Sequence, residues 1–223
     1  MQDISYREAI GYLMYVVLGM CPNISFAVSF LAQFMQNPRR PHWEVVKQVF
    51  HYLKGMKDTC LVIGGSREGL EAYSDADWAS QEHRHSISGY VFTIDGGAVS
   101  WSLKRQPIVA LSTMEAEYIA ATHAAKEALW ICMFLTEIAR PLVKPLTIHL
   151  DNFSATSITK NDGYHPRTKH IYIWYHFIHH AVQRGLLHID YVPTDDMAAN
   201  MFTKALLHHW VLHMNALIGL RSA

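Results

Sequence analysis

Gly89-Tyr90-Val91-Phe92-Thr93-Ile94, Asp95-Gly96-Gly97 and Ala98-Val99-Ser100-Trp101-Ser102-Leu103 follow one another without a gap. The first and third runs are rich in β-branched and aromatic residues, and the Asp-Gly pair between them suits a tight turn with positive φ. Together they predict a β-hairpin. Two more short β-rich runs precede it, Leu61 to Ile63 and Leu70 to Ser74. Beyond it the sequence predicts an alanine-rich helix from Thr113 to Ala139, a link from Pro141 to Pro145, and a buried strand from Leu146 to Leu150. Asn152 or Ser154 is positioned to cap a short helix. A helix from Thr168 to Arg184 is stopped by Gly185, and Leu187 to Val192 reads as a strand. A last helix is predicted from Asp195 to about Leu206. A hairpin, then helices alternating with strands, predicts a mixed-sheet α/β domain.

The N-terminal residues read differently. Ser5-Tyr6-Arg7-Glu8 suits a capped first turn ahead of the apolar stretch Ile10 to Leu18. A second helix is predicted from Ile24 to Met35, and Asn37-Pro38-Arg39-Arg40-Pro41 breaks the chain. Val46, Val49, Phe50 and Leu53 then recur at helical spacing over Trp43 to Lys54, with Gly55 as the stop. The predicted organisation is a helical segment over residues 1–65, an α/β domain over 66–206, and a helical tail over 207–223.

Composition excludes several classes. Half of the 223 residues are hydrophobic, enough for a sizeable core. Nineteen basic residues balance nineteen acidic ones, so a nucleic-acid partner requires a local basic patch or metal ions. The three cysteines, Cys21, Cys60 and Cys132, form no CxxC pair, which fits a reducing compartment rather than a disulfide framework. Ile10 to Met20 falls far short of the ~20 residues of a membrane span, and no signal-peptide pattern is present. An intracellular location, cytoplasmic or nuclear, is the expectation. His176, His179 and His180 share one predicted helix, but no cysteine or placed acid completes a zinc site.

Three acidic stretches carry the chemistry: Tyr73-Ser74-Asp75-Ala76-Asp77-Trp78, Ser112-Thr113-Met114-Glu115-Ala116-Glu117-Tyr118 and Ile148-His149-Leu150-Asp151-Asn152. Asp75 and Asp151 fall at predicted strand ends, where open α/β sheets build their sites. Brought close, such anions repel unless a cation lies between them, and hard oxygen ligands suit Mg²⁺ or Mn²⁺. The helix offers Glu115 and Glu117, which lie about 200° apart and cannot both face one site. The stripe through Glu117 holds Ala120, Ala121, Ala124, Ala128, Ile131 and Leu135, suited to close packing on a sheet. Glu117 is therefore favoured, with Glu115 the alternative.

These stretches, with Ser88-Gly89-Tyr90, Ser100-Trp101, Lys104-Arg105-Gln106, Arg167-Thr168-Lys169-His170-Ile171, Tyr191-Val192-Pro193-Thr194 and Phe202-Thr203-Lys204, resemble the C-terminal part of a copia-type LTR retrotransposon Pol polyprotein. Ser5-Tyr6-Arg7-Glu8-Ala9 and Tyr52-Leu53-Lys54-Gly55 resemble the end of its reverse transcriptase, and the rest its ribonuclease H domain. The resemblance implies a ribonuclease-H-like fold with a five-stranded mixed sheet flanked by helices. It implies hydrolysis of the RNA strand of an RNA–DNA hybrid, with two Mg²⁺ or Mn²⁺ ions held by Asp75, Glu117 and Asp151. The partners it implies are the hybrid and the remainder of a reverse transcriptase, not a membrane. Arg84, Lys104, Arg105, Asn152, Arg167, Lys169 and His170 are candidate nucleic-acid contacts. One departure stands out. The family's fourth acid is replaced by Asn200, for which Asp196, one turn earlier, is a candidate substitute. That change admits a second reading, an impaired retroelement remnant that keeps the fold as a binding module.

Overall fold

The computed structural model describes residues 5–64, 69–79, 84–140, 142, 144–152 and 172–222. Its centre is the predicted hairpin, strands β3 (Ile87–Ile94) and β4 (Gly97–Arg105). Asp95 and Gly96 turn the chain with φ of 48° and 79°, the doubly positive pair that matches strand twist. The Asp95 carboxylate accepts the Gly69 N–H at 2.8 Å, which ties the turn to the start of β2 (Leu70–Asp77).

β2 pairs antiparallel with β3, and β5 (Leu146–Leu150) and β6 (Leu187–Tyr191) add in parallel, giving the order β4-β3-β2-β5-β6. This is the five-stranded mixed sheet expected, and the fold is ribonuclease-H-like. Alternation sorts the side chains of β2 and β3 to two faces. Ala72 and Phe92 join a core with the long helix α4 (Thr113–Glu137) and α5 (Tyr172–Gln183). Tyr73 and Val91 join a second core with Met197–Phe202 and the C-terminal residues Met214 and Ile218. With both faces covered, residues 72–76 are buried without interruption.

The last predicted helix is not continuous. A 3₁₀ turn (Thr194–Asp196) is followed by a one-turn helix α6 (Asn200–Thr203). Met197, Ala198 and Ala199 between them are all fully buried against the sheet. Met197 and Ala198 join the core formed with Tyr73 and Val91, so packing wins over helical pattern here. α7 (His208–Leu217) then leads through Gly219 into β7 (Leu220–Ser222). β7 pairs antiparallel with β1 (Thr59–Leu61), a two-stranded ribbon outside the main sheet that takes only Leu61 from the first predicted β-rich run.

Helices α1 (Tyr6–Gly19), α2 (Ser25–Ala32) and α3 (Arg40–Gly55) enclose their own core of Tyr6, Ile10, Leu13, Val28, Leu31 and Val46. The Tyr6 hydroxyl donates to the Leu31 carbonyl at 2.8 Å inside it. The Trp101 indole N–H donates to the Val17 carbonyl at 2.9 Å, which fastens this segment to β4. Among the described residues no helix is long and apolar enough to cross a membrane.

Candidate metal centre

Register brings the two aspartates side by side. Tyr73 on β2 pairs with His149 on β5, and two residues further along the parallel strands stand Asp75 and Asp151. Asp75 is opposite Gly89 on β3 and lies inside β2, which runs on to Asp77 rather than ending at Ser74. Glu117, in the second turn of α4, joins them: one oxygen of each carboxylate lies within 4.8 Å of the others. This is the one cluster of three or more metal-ligating side chains among the described residues, so no histidine takes part in such a site there.

Glu115 lies elsewhere. Ser112 caps α4 by accepting the Glu115 N–H at 3.2 Å, and Glu115 Oε2 accepts the Leu111 N–H at 2.7 Å. This is a variant of the reciprocal capping box, with Glu115 in its expected place three residues after the cap. The stripe argument alone could not separate the two glutamates, because Tyr118 and Thr122 on the Glu115 side are as buried as the alanines on the other. The Ser-x-x-Glu spacing of Ser112 and Glu115 was the stronger signal.

The surroundings position each acid. Asp75 has no side-chain exposure, and its Oδ2 accepts the Thr203 hydroxyl while its Oδ1 lies 3.0 Å from Lys204 Nζ. This contact depends on Gly89: a Cβ there would come within 2.8 Å of Phe202 Cβ and 2.9 Å of Thr203 Cγ2. Glycine thus lets α6 lie directly on β3. Asp151 Oδ2 accepts the Thr194 hydroxyl at 3.0 Å. Gln106, fully buried, donates to Ser88 Oγ and to the Ala116 carbonyl at 2.8 Å each, which locks β3 to the first turn of α4. Thr194, Thr203 and Lys204 all sit in the quoted sequence motifs, but nothing in their residue type alone marks them as partners of carboxylates.

Charge in the cage is unbalanced. Burial pushes the Glu117 carboxyl well above the ordinary carboxylate range, and Asp75 and Asp151 push it further, against the smaller opposing pull of Lys204 and the Ala76 N–H. Asp151 is also raised, by burial and then by Asp75. Burial alone would lower Lys204, but the attraction of Asp75, Asp151 and Glu117 outweighs it and raises the ammonium's pKa. Glu117 Oε2 is buried with no hydrogen-bond partner among the described residues.

Asn200 meets the cage through Lys204, which touches both it and Asp75. Its amide N–H donates to the Thr194 carbonyl at 2.8 Å, and its Oδ1 accepts from Lys204 Nζ at 2.6 Å. Asp196 does not replace it: that carboxylate lies 3.5 Å from His213 Nε2 on an exposed side. A helical reading of residues 195–206 had put the two on one face, and the buried Met197–Ala199 segment separates them.

The candidate nucleic-acid contacts fall in separate places. Arg84 is exposed on the loop before β3, with φ of 56°, and Lys104 and Arg105 are exposed at the end of β4. Asn152 follows Asp151 and is half-buried. Arg167, Lys169 and His170, and Ser154 with the short helix it was expected to cap, lie outside the described residues. Lys104 shares a cleft of about 210 Å³ with Ser88, Tyr90, Ser102, His123 and Lys126. Burial, then Lys126 and Lys104, lower the pKa of His123 there.

The chain is 41% identical over all of its 223 residues to the retrovirus-related Pol polyprotein from the tobacco transposon TNT 1-94, covering 17% of that protein. The Pol polyprotein from the Arabidopsis thaliana transposon RE2 is 39% identical over 203 residues, 90% of this chain and 14% of the relative. The chain is homologous to a stretch of the retrovirus-related Pol polyproteins of copia-type transposons. It spans about a sixth of the length of these relatives. No family model matches it. The LC11-RNase H1 structure, solved in complex with an RNA/DNA hybrid, aligns with a TM-score of 0.47 at 16% identity, over 60% of this chain and 94% of that one.

Proposed function

We propose that this region of the polyprotein is a metal-dependent endonuclease that hydrolyses the RNA strand of an RNA–DNA hybrid. The observation that carries the reading is the gathering of Asp75, Glu117 and Asp151, remote in sequence, into one cage within 4.8 Å. The donor set suits Mg²⁺ or Mn²⁺: three carboxylates, all hard oxygen donors, one of them with a buried oxygen that lacks any partner among the described residues. When bound, such ions supply Lewis acidity and activate water for attack on a phosphodiester.

The chain's own residues provide positioning. Thr203 and Thr194 hold the Asp75 and Asp151 carboxylates in fixed orientations, as hydrogen-bond donors behind metal ligands commonly do. Asn152, next to Asp151 in sequence, would read a 2′-hydroxyl, the group by which RNA is told from DNA. The cleft of Lys104 and Lys126 with its three hydroxyls suits backbone phosphates, and binding through it is expected to weaken with salt. Residues 1–65 form the end of a reverse-transcriptase part and 66–206 the nuclease domain.

The test is cleavage of an end-labelled RNA strand annealed to DNA, in Mg²⁺ and in Mn²⁺. The wild-type chain cleaves it, and Asp151→Asn lowers the rate by about 10²-fold or more, the loss expected when charge stabilisation at the reacting centre fails. Full activity in Asp151→Asn contradicts the reading. Asn200 and the lysine beside it favour the second reading, a binding module. Tight hybrid binding with no cleavage by the wild-type chain selects it.

A further inference from the structure

The carboxylate cage already contains a cation of its own. Lys204 Nζ lies 3.0 Å from Asp75 Oδ1 and 2.6 Å from Asn200 Oδ1. Asp75, its partner, is completely buried, whereas the Lys204 side chain is 35% exposed. The base of Lys204 is anchored, because its N–H donates to the Asn200 carbonyl at 3.0 Å. Its stem is a flexible four-carbon arm with a route to solvent. Thr203, the preceding residue, takes the other Asp75 oxygen, so two successive residues occupy both oxygens of the central acid.

An acid in place of Asn200 would pair with the ammonium and compete with Asp75 for it. The neutral amide accepts a hydrogen bond but offers no countercharge, so the ammonium's nearest anion is Asp75. A divalent ion entering the same cage meets a positive charge at hydrogen-bonding distance from its central ligand, in a buried setting where charges act strongly.

We infer that Lys204 is the resident counter-cation of the carboxylate cage, held there by Asn200, and that a divalent ion binds by displacing its ammonium from Asp75. The inference rests on reading the cage as a divalent-cation site. Without added metal, Lys204 offsets the repulsion among Asp75, Glu117 and Asp151. With metal, the arm swings to solvent and the ion takes over that role.

The test compares wild type, Lys204→Met, Lys204→Gln, Lys204→Arg and Asp75→Asn by Mn²⁺ calorimetry and by thermal melting in chelator and in Mn²⁺. Lys204→Met and Lys204→Gln are expected to bind Mn²⁺ at least about tenfold more tightly than wild type, from removal of a like charge in the cage. They are also expected to melt lower in chelator and to gain more from Mn²⁺. Lys204→Arg keeps the charge and keeps the weaker affinity. Equal affinity in wild type and both neutral variants, with binding abolished in Asp75→Asn, overturns the role of Lys204 and leaves the metal site standing. Absence of any Mn²⁺ effect in all five proteins overturns both. Should Lys204→Met fail to fold, Lys204→Gln against Lys204→Arg gives the same comparison of neutral with charged arms.

Discussion

At the scale of single residues, the behaviour of the cage is set by Glu117. Its carboxyl holds its proton above the ordinary carboxylate range because of burial, then because Asp75 and Asp151 lie beside it. The folded state therefore binds this proton more tightly than the unfolded chain does. Stability should then fall as pH rises from the ordinary glutamate value of about 4.3 up through the folded value. Asp151 is shifted the same way and adds to the slope. In chelator, the melting temperature is expected to decline with rising pH across that window, and Glu117→Gln to flatten the decline. A melting temperature that rises through the window in chelator would contradict this electrostatic account. The three acids were legible in the sequence as acids at predicted strand ends and at a helix start. The choice between Glu115 and Glu117 rested on an apolar stripe, yet α4 is buried nearly all round in its first turns. The cap formed by Ser112 was the decisive local feature. Lys204 could not be read as part of the cage, because a lysine after a one-turn helix is most often a solvated charge.

At the scale of elements, the site depends on how closely α6 lies on β3. That closeness comes from Gly89, where an added Cβ would meet Phe202 and Thr203 at under 3.0 Å. Gly89→Ala is expected to cost about 1–3 kcal/mol, as overpacked interiors do, measured by chemical denaturation. Because Thr203 must shift, it should also loosen Asp75 and weaken Mn²⁺ binding. Unchanged stability together with unchanged Mn²⁺ affinity would show that the close approach has no role. The hairpin, the long helix and the parallel strands were readable because local signals and tertiary context agree there: Asp95-Gly96 fits its turn, and Leu146–Leu150 its buried position. The region from Thr194 to Lys204 was not. Its residues suit a helix, but the chain takes an irregular path there, with Met197, Ala198 and Ala199 packed beside Tyr73 and Val91. Tertiary packing overrode propensity where the site is built.

At the scale of the whole molecule, segments remote in sequence are drawn together. β1, between the helical segment and the sheet, pairs with β7, and Trp101 reaches back to Val17. Gly219, with φ of 83°, turns the chain into β7 where a side chain would strike the carbonyl oxygens of Gly96 and Val62 at 2.7 Å. Periodicity read the helical segment and the tail as separate pieces, since pairing between residues some 160 positions apart leaves no local trace. The mixed-sheet class, by contrast, followed from the alternation of strands and helices, and the structure adds the order β4-β3-β2-β5-β6. It is this order, with β5 beside β2, that sets Asp151 next to Asp75 and allows Glu117 to close the cage from the other face. The central claim is that these three carboxylates hold divalent ions in one place. Crystals soaked in Mn²⁺ and measured for anomalous scattering test it most directly. The account predicts a peak bonded to oxygens of Asp75, Glu117 and Asp151 with the Lys204 ammonium withdrawn from Asp75. A cage without a peak, its lysine still on Asp75, would contradict it.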